Sequence, residues 1–147
     1  MRIELATVAD IPELATLLSV LFSQELEFQP DVEAQCLGLA NIISNPEIGE
    51  ILTIRTHDSI VGMINLLYTV STALGARVAL LEDMVVLPQF RGAGVGSKLL
   101  QAAIARARVS GCKRITLLTD GDNEAAQKFY SNHGFTASRM VPFRLKL

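Results

Sequence analysis

The spacing of apolar positions changes several times along the chain, and each change predicts a new element. Residues 2–5 alternate between polar and apolar, as a short strand does. Over residues 11–22 the apolar positions recur every three or four residues, which predicts a first helix. Asp31 can cap a second helix, and Asn45-Pro46 closes it. The first third of the chain therefore predicts one strand followed by two helices.

The middle of the chain has the spacing of strands. Segments 50–56 and 60–70 are separated by a turn at residues 57–59, so they predict a hairpin. Residues 77–86 are almost continuously apolar, which indicates a strand that is buried on both faces of a sheet. The sheet is therefore expected to lie between two layers of helices.

The last third of the chain returns to alternating helices and strands. Residues 94–109 have helical spacing, and Gly111 is well placed to end that helix. A strand over residues 113–119 and a helix over residues 123–132 follow. Residues 135–147 predict one or two closing strands.

The order of these elements predicts a single α+β, or mixed α/β, domain over residues 1–147. Hairpins supply most of the sheet, and one strand–helix–strand crossover adds a parallel pair. No repeat, low-complexity tract or linker interrupts the chain. We therefore expect one sheet with helices on both faces.

Composition narrows the class of protein. Half of the 147 residues are hydrophobic and 19% are charged, which is typical of a globular domain. The net charge of −2, without a lysine or arginine run, predicts no nucleic-acid partner. No apolar run approaches the ~20 residues of a membrane span, and no signal peptide is recognisable, so a cytoplasmic protein is expected. Cys36 and Cys112 are too few for a metal cluster or a disulfide framework, so no metal is expected.

Candidate chemistry centres on a strand, a glycine-rich turn and the start of a helix. The strand carries Glu82 and Asp83, and the turn reads Arg91-Gly92-Ala93-Gly94-Val95-Gly96. Backbone N–H groups in the first turn of a helix lack intrahelical partners and lie at the positive end of its dipole, so this turn is suited to hold phosphate. Its spacing is neither G-x-G-x-x-G nor that of a P-loop. A turn that merely packs a strand against a helix is the alternative.

Two motifs, in the right order, resemble the GNAT family, the GCN5-related N-acetyltransferases. Arg91, Gly94 and Gly96 meet the signature R/Q-x-x-G-x-G/A, which follows a strand that ends in Val86-Leu87-Pro88. The motif N-x-x-A-x-x-F-Y-x-x-x-G-F is met downstream by Asn123, Ala126, Phe129, Tyr130, Gly134 and Phe135. The resemblance covers nearly the whole chain and is least specific in its N-terminal half. It implies a central, mostly antiparallel sheet of six or seven strands with a splayed parallel pair.

The resemblance also implies that acetyl-CoA is the cosubstrate. The residues expected at its pyrophosphate are Arg91, Gly92, Ala93, Gly94, Val95, Gly96 and Ser97. The exposed backbone of Met84, Val85 and Val86 would pair with the pantetheine arm like an added strand. Asn123 would contact the arm from the other side.

The implied reaction is direct acetyl transfer to a primary amine through a tetrahedral intermediate, without an acyl-enzyme. Tyr130 would protonate the leaving thiolate, and an acidic side chain would take the proton of the amine, directly or through water. Glu82 and Asp83 face opposite sides of a regular strand, so one of them would reach the amine. A β-bulge, common in this family, would change which one does so. Pairing with Arg77 or Arg114 is the alternative for either acid.

The acceptor amine is not readable from the sequence. The loop that contains Glu25, Glu27 and Phe28 commonly helps to form the acceptor pocket in this family, and its charge favours a small cationic amine. A solvated loop without a role in binding is the alternative. Tyr68 is expected to line the acceptor cleft or to pack in the sheet. A protein amine is another candidate acceptor, and a non-catalytic acetyl-CoA sensor is the competing function. The apolar C-terminal strands could pair across two subunits, so a homodimer is one expectation.

Overall fold

A five-stranded sheet in the order β1-β2-β3-β4-β5 forms the centre of the molecule. The structure, a computed structural model, describes all residues from Met1 to Leu147. The first four strands pair antiparallel with their neighbours, whereas β4 and β5 are parallel. The strands are β1 (Arg2–Leu5), β2 (Gly49–Thr56), β3 (Ser59–Ser71), β4 (Ala76–Val86) and β5 (Ile115–Leu117).

Four α-helices flank the sheet. They are α1 (Ile11–Phe22), α2 (Val32–Ile43), α3 (Val95–Val109) and α4 (Glu124–Asn132), with short 3-10 turns at Val8–Asp10 and Pro88–Phe90. The predicted cap of α2 is present, since the Asp31 side chain accepts a hydrogen bond from the backbone N–H of Ala34. None of the helices has both the length and the apolar character needed to cross a membrane.

The helices divide the core into two layers. One buried cluster joins α3 to the sheet, and the other joins α1 and α2 to the opposite face. Strand β4 contributes to both clusters, with Leu81 in the first and Val85 in the second. This burial on both faces is the reason for its almost continuous apolar sequence.

β4 departs from a regular strand at Asp83. Between the cross-strand pairs Asn65–Glu82 and Met63–Val85, β4 contains one residue more than β3. Asp83 lies in the resulting β-bulge and has a left-handed φ of 53°. Aspartate tolerates this conformation better than most residues do. A bulge bends the strand and changes where its side chains lie, so Asp83 no longer follows the alternation of β4.

The parallel pair of β4 and β5 is short. Its register covers only Ala79–Leu81 on β4 and Ile115–Leu117 on β5. Residues 82–86 of β4 therefore have no strand beside them on that edge. The predicted parallel pair and the α+β class are confirmed, and the free edge lies directly before the glycine-rich turn.

The predicted count of six or seven strands is wrong, because residues 135–147 form no strand. The strand predicted over residues 113–119 is present but shorter, as β5. Val141, Phe143 and Leu145 alternate as in a strand, yet they are 74%, 95% and 85% exposed. Alternation predicts a strand only where the backbone can pair with a neighbour and one face can be buried. In this chain the C-terminal residues do neither.

Candidate active site

Two cavities lie on either side of the bulge in β4. The larger, of about 590 Å³, is formed by the free edge of β4, the glycine-rich turn, α4 and the end of α1. The smaller, of about 260 Å³, lies between α1 and α2, over β3 and β4. Met84 lines the larger cavity and Asp83 lines the smaller one. Because these residues are adjacent in sequence, one short stretch of strand borders both cavities.

The glycine-rich turn gives the larger cavity an open backbone wall. Gly92 and Gly94 have left-handed φ angles of 82° and 80°, and a Cβ added to either would meet no atom within 4 Å. Gly94 is the N-cap of α3 and has no side chain to cap the first turn. Backbone N–H groups of that turn are therefore available to an anionic ligand at the positive end of the helix.

Arg91 adds a positive charge to the same wall. Its Nε donates a hydrogen bond to the carbonyl oxygen of Val86 at 2.8 Å, which ties the turn to the end of β4. None of the ion pairs in the structure involves Arg91. Val95 is buried in the core and Ala93 does not line the cavity, so these two can contribute only backbone groups.

The remaining predicted coenzyme residues also surround the larger cavity. Met84, Val85 and Val86 line it along the free edge of β4, and Ser97 lines it from α3. Asn123 lies on another side, where its Oδ1 accepts a hydrogen bond from the Ala126 backbone N–H at 3.0 Å and caps α4. The cavity is thus bounded by a free strand edge and by polar groups at two helix N-termini.

Tyr130 extends from α4 to the lining of the larger cavity. Its hydroxyl donates to the Met84 sulfur at 3.6 Å, and a thioether is a weak acceptor. Edge contacts with Phe129 and Phe135, at centroid distances of 5.3 and 5.7 Å, hold the ring. Burial raises the pKa of Tyr130 to about 12, so the phenol keeps its proton at neutral pH. It is therefore a hydrogen-bond donor with only a weak partner in the protein.

Asp83 is the acid at the end of the smaller cavity. Its Oδ2 accepts a hydrogen bond from Asn65 Nδ2 at 2.6 Å. Burial, reinforced by the negative charge of Glu82, raises the pKa of Asp83 to about 6. Asn65 also lines the cavity, is 1% exposed, and its Oδ1 is buried without a hydrogen-bond partner. This end of the cavity therefore carries two hydrogen-bond acceptors.

The other predicted acids, Glu82 and Glu25, do not line either cavity. Glu82 is exposed and acts on Asp83 through its charge. Burial and the negative charges of Asp83 and Asp120 raise the pKa of Glu25. The acids therefore lie close enough to one another to make this region negative, a charge that attracts cations.

Two further acceptor-site predictions have different placements. Phe28 lines the smaller cavity and contacts the ring of Phe22, with centroids 5.6 Å apart. The structure does not bring Tyr68 to either cavity, because its hydroxyl donates to Glu50 at 2.7 Å and its ring lies under Arg77. Nowhere do three or more His, Cys, Asp or Glu side chains come together in a way that could hold a metal ion.

Sequence reasoning missed several residues of the cavities. Asn65 had a usable signal, since it is the one amide within the apolar run of residues 60–70, and a buried amide needs partners. Leu21 and Gln24 line the larger cavity from the end of α1 and the loop after it, a placement that their own pattern does not reveal. Gly38 lines the smaller cavity and was also missed, because only the packing of α1 against α2 brings it there.

Comparison with known proteins assigns this geometry to a family. The model of the acetyltransferase (GNAT) family matches residues 12–135. The uncharacterized N-acetyltransferase YhfO of Bacillus subtilis (strain 168) is 31% identical over 124 residues, which cover 82% of this chain and 83% of that protein. The aminoalkylphosphonate N-acetyltransferase of Salmonella typhimurium is 29% identical over 133 residues, covering 90% of this chain and 83% of that protein.

Solved structures agree with the sequence matches. A crystal structure of a probable acetyltransferase has a TM-score of 0.84 and 28% identity, over 100% of this chain and 98% of that chain.

Proposed function

Because this chain belongs to the acetyltransferase (GNAT) family and is an N-acetyltransferase, we propose that it moves the acetyl group of acetyl-CoA directly to the primary amine of a small molecule. Acetyl-CoA occupies the larger cavity in this proposal, and the acceptor occupies the smaller one. The observation that carries it is that adjacent residues at the β4 bulge line the two cavities, Asp83 the smaller one and Met84 the larger one.

The larger cavity fits a pyrophosphate joined to an extended arm. The glycine-rich turn offers backbone N–H groups and the charge of Arg91 to phosphates. Beyond it, the edge of β4 over residues 82–86 has no neighbouring strand and can pair with amides of the arm, as in strand addition. When bound, acetyl-CoA supplies the thioester that the amine attacks.

Asp83 is the proposed base. An amine that forms a bond to the acetyl carbon must lose a proton, and the carboxylate of Asp83 lines the cavity where the amine would lie. Its pKa of about 6 leaves it ionised at neutral pH while making it a better proton acceptor than an exposed aspartate. The hydrogen bond from Asn65 holds the carboxylate in place.

Tyr130 is the proposed donor to the leaving sulfur. Its pKa of about 12 exceeds the ~8.5 of an ordinary thiol, so complete proton transfer to the thiolate is uphill. We therefore assign Tyr130 the role of a hydrogen-bond donor that stabilises negative charge on sulfur as the C–S bond breaks. The balanced reaction is amine plus acetyl-CoA giving amide plus coenzyme A thiol. The amine loses one proton and the thiolate gains one, so the numbers of atoms and charges are the same on both sides.

The name of the Salmonella relative raises aminoalkylphosphonates as acceptors, but we do not extend that acceptor to this chain. Arginine and lysine are the usual partners of a phosphonate or phosphate, and no basic side chain lines the smaller cavity. Arg144 lies near Phe28, where it is paired with Glu27 at 3.1 Å.

The test is release of free thiol from acetyl-CoA in the presence of a panel of primary amines. At least one amine should accelerate release above the rate with acetyl-CoA alone, and the acetylated amine should appear in equal amount by mass spectrometry. If the protein binds acetyl-CoA in calorimetry but no amine accelerates thiol release, a sensor of acetyl-CoA becomes the better interpretation. Acetylation of peptides but of no small amine would favour a protein acceptor.

We also propose that the protein is cytoplasmic and forms a homodimer. The exposed Val141, Phe143 and Leu145 side chains support a dimer, because a second copy could cover them. Multi-angle light scattering decides the point, since a mass equal to one chain at high concentration would contradict the dimer.

A further inference from the structure

The smaller cavity has an apolar body and a polar end. Leu18 and Phe22 of α1 face Leu39 and Ile42 of α2 across it, and Phe28 adds an aromatic ring. No lysine, arginine or histidine belongs to its lining. Gln29, Asp31 and Gln35 also line the cavity, but Asp31 accepts from the Ala34 N–H and Gln35 donates to Ala15 and Ser19. A ligand in this space would therefore meet mostly apolar walls and would find no cation to pair with an anionic group of its own.

The polar end of the cavity accepts hydrogen bonds. Asn65 uses its amide N–H on Asp83, which leaves its Oδ1 buried and without a partner. Asp83 presents a carboxylate beside it. Buried acceptors are almost always paired in folded proteins, so an unpartnered one next to a cavity favours a ligand that donates N–H groups there. A primary amine has such donors on a single small nitrogen.

The size of the cavity limits the body of this ligand. An apolar cavity of about 150 Å³ can hold a benzene molecule. The 260 Å³ of the smaller cavity therefore has room for a ring with a short alkyl arm, or for an alkyl chain of about six carbons.

We propose that the acceptor is a primary amine carried on an uncharged apolar chain or ring. Its nitrogen lies at the carboxylate of Asp83, next to Asn65, and its body lies between α1 and α2. This inference rests on the proposed function and specifies the acceptor of that same site. The sequence favoured a small cationic amine. The proposal is narrower, because the acceptor carries no charged group other than its amine.

A matched series of amines tests the proposal. The compounds n-hexylamine, 6-aminohexanoate and 1,6-diaminohexane all have a primary amine at one end of a six-carbon chain. The other end is apolar, anionic or cationic, respectively. The value of kcat/KM for n-hexylamine should exceed that for the other two at least tenfold, because only its far end matches apolar walls. A preference for either doubly functional amine would overturn the proposal while leaving the acetyltransferase function intact.

Gly38 provides a variant that fills the cavity without disturbing the fold. It lines the cavity within α2, and a Cβ added there would meet no atom within 4 Å. Gly38→Leu should lower kcat/KM for n-hexylamine at least tenfold and change that for n-propylamine less than twofold. Asn41→Leu adds a leucine at an exposed position of the same helix outside the cavity lining, and it should change neither value by more than twofold. Equal rates for n-hexylamine in both variants would overturn the proposed placement.

A binding measurement separates failure of this inference from failure of the function. If no amine accelerates thiol release, n-hexylamine is titrated by calorimetry into the protein saturated with coenzyme A. Binding that Gly38→Leu weakens at least tenfold and Asn41→Leu preserves would support an apolar amine site in a protein that is not an active transferase. Absence of binding would overturn the inference as well as the function.

Discussion

At the scale of single residues, environment decides what otherwise similar groups can do. Glu82 and Asp83 are neighbouring acids, yet one is exposed and the other lies half-buried against Asn65. Burial and like charge raise the pKa of Asp83 to about 6. The same kind of burial raises the pKa of Tyr130 to about 12 and keeps its proton in place. The proposed base and the proposed donor are therefore held in opposite protonation states at neutral pH.

Asp83→Asn tests the base. We expect kcat/KM to fall by about 10²- to 10⁴-fold, the usual contribution of a general base. Asparagine is a suitable replacement, since it tolerates the left-handed φ of 53° and can keep a hydrogen bond to Asn65. In the wild type, kcat/KM should rise with pH and level off above about pH 6, as Asp83 loses its proton, and the variant should lack this rise. A larger loss in Glu82→Gln than in Asp83→Asn would assign the base to Glu82.

The same variant should be more stable than the wild type at neutral pH. An acid whose folded pKa is raised binds its proton more tightly when folded, so the wild type loses stability as pH rises from about 4 to about 6. The rise from 3.8 to about 6 corresponds to a loss of at most about 3 kcal/mol. Urea unfolding should therefore show that the advantage of Asp83→Asn is small at pH 4 and complete at pH 7. An advantage that does not grow with pH would contradict the raised pKa.

Tyr130→Phe tests the donor to sulfur. The hydroxyl has only a weak partner at 3.6 Å, so its removal should leave the fold and the dissociation constant of acetyl-CoA nearly unchanged. Loss of one donor to developing negative charge typically lowers kcat by about 10²- to 10³-fold. Saturating thiol-release kinetics and calorimetry measure the two quantities separately. An unchanged kcat would remove Tyr130 from the mechanism.

At the scale of elements, one strand and the turn after it contribute to both proposed sites. The bulge in β4 places Asp83 on the smaller cavity, and the end of the β5 pairing leaves the next residues of β4 with a free edge. The turn then needs two left-handed residues before α3 begins, at Gly92 and Gly94. Because these features follow one another directly, one short segment fixes the position of the proposed amine site relative to the proposed coenzyme site.

Gly94→Ala tests the turn. A Cβ at a left-handed φ costs about 1 to 2 kcal/mol, so the free energy of unfolding should fall by that amount. The same strain should shift the N–H groups of α3, and the affinity for acetyl-CoA should drop at least tenfold. Gly121→Ala is the control, since this loop glycine has no left-handed φ and open space for a Cβ. Equal effects of the two substitutions on affinity would contradict the proposed role of the turn.

At the scale of the whole molecule, two helical layers on opposite faces of one sheet leave a gap where β4 and β5 separate. The layer of α1 and α2 forms the smaller cavity, and α3 and α4 border the larger one. A ligand in the larger cavity would contact both layers, since Leu21 and Gln24 come from the side of α1. Acetyl-CoA is therefore expected to stabilise the molecule most strongly along this gap.

Hydrogen exchange with and without acetyl-CoA tests this expectation. Saturation at 100 times the dissociation constant should stabilise the fold by about 2.7 kcal/mol. Beyond that global gain, amides at the free edge of residues 82–86 and in the first turn of α3 should exchange at least tenfold more slowly. Amides between β1 and β2 serve as the internal control, and their exchange should slow only by the amount that the global stabilisation explains. Equal protection in both regions would place the coenzyme elsewhere.

The amino-acid sequence by itself determined the class of fold and the order of the elements through α4, and its resemblance to the GNAT family predicted the coenzyme site. Local rules are sufficient for the elements, because apolar spacing reports which face is buried and glycines report where the backbone must be left-handed. The helix over Glu124–Asn132 and the cap at Asp31 were predictable for this reason. The strand predicted over residues 135–147 does not form. A strand also needs a partner strand, which its own residue pattern does not specify.

Only the tertiary structure decided how the acids and the smaller cavity are arranged. The alternation of a regular strand leaves both Glu82 and Asp83 as candidates, and one additional residue in the pairing of β4 with β3 places Asp83 on the smaller cavity. Asn65 and Gly38 reach that cavity from distant parts of the chain. Burial, pKa and cavity shape depend on such non-local packing, which the order of residues along a strand or helix does not contain.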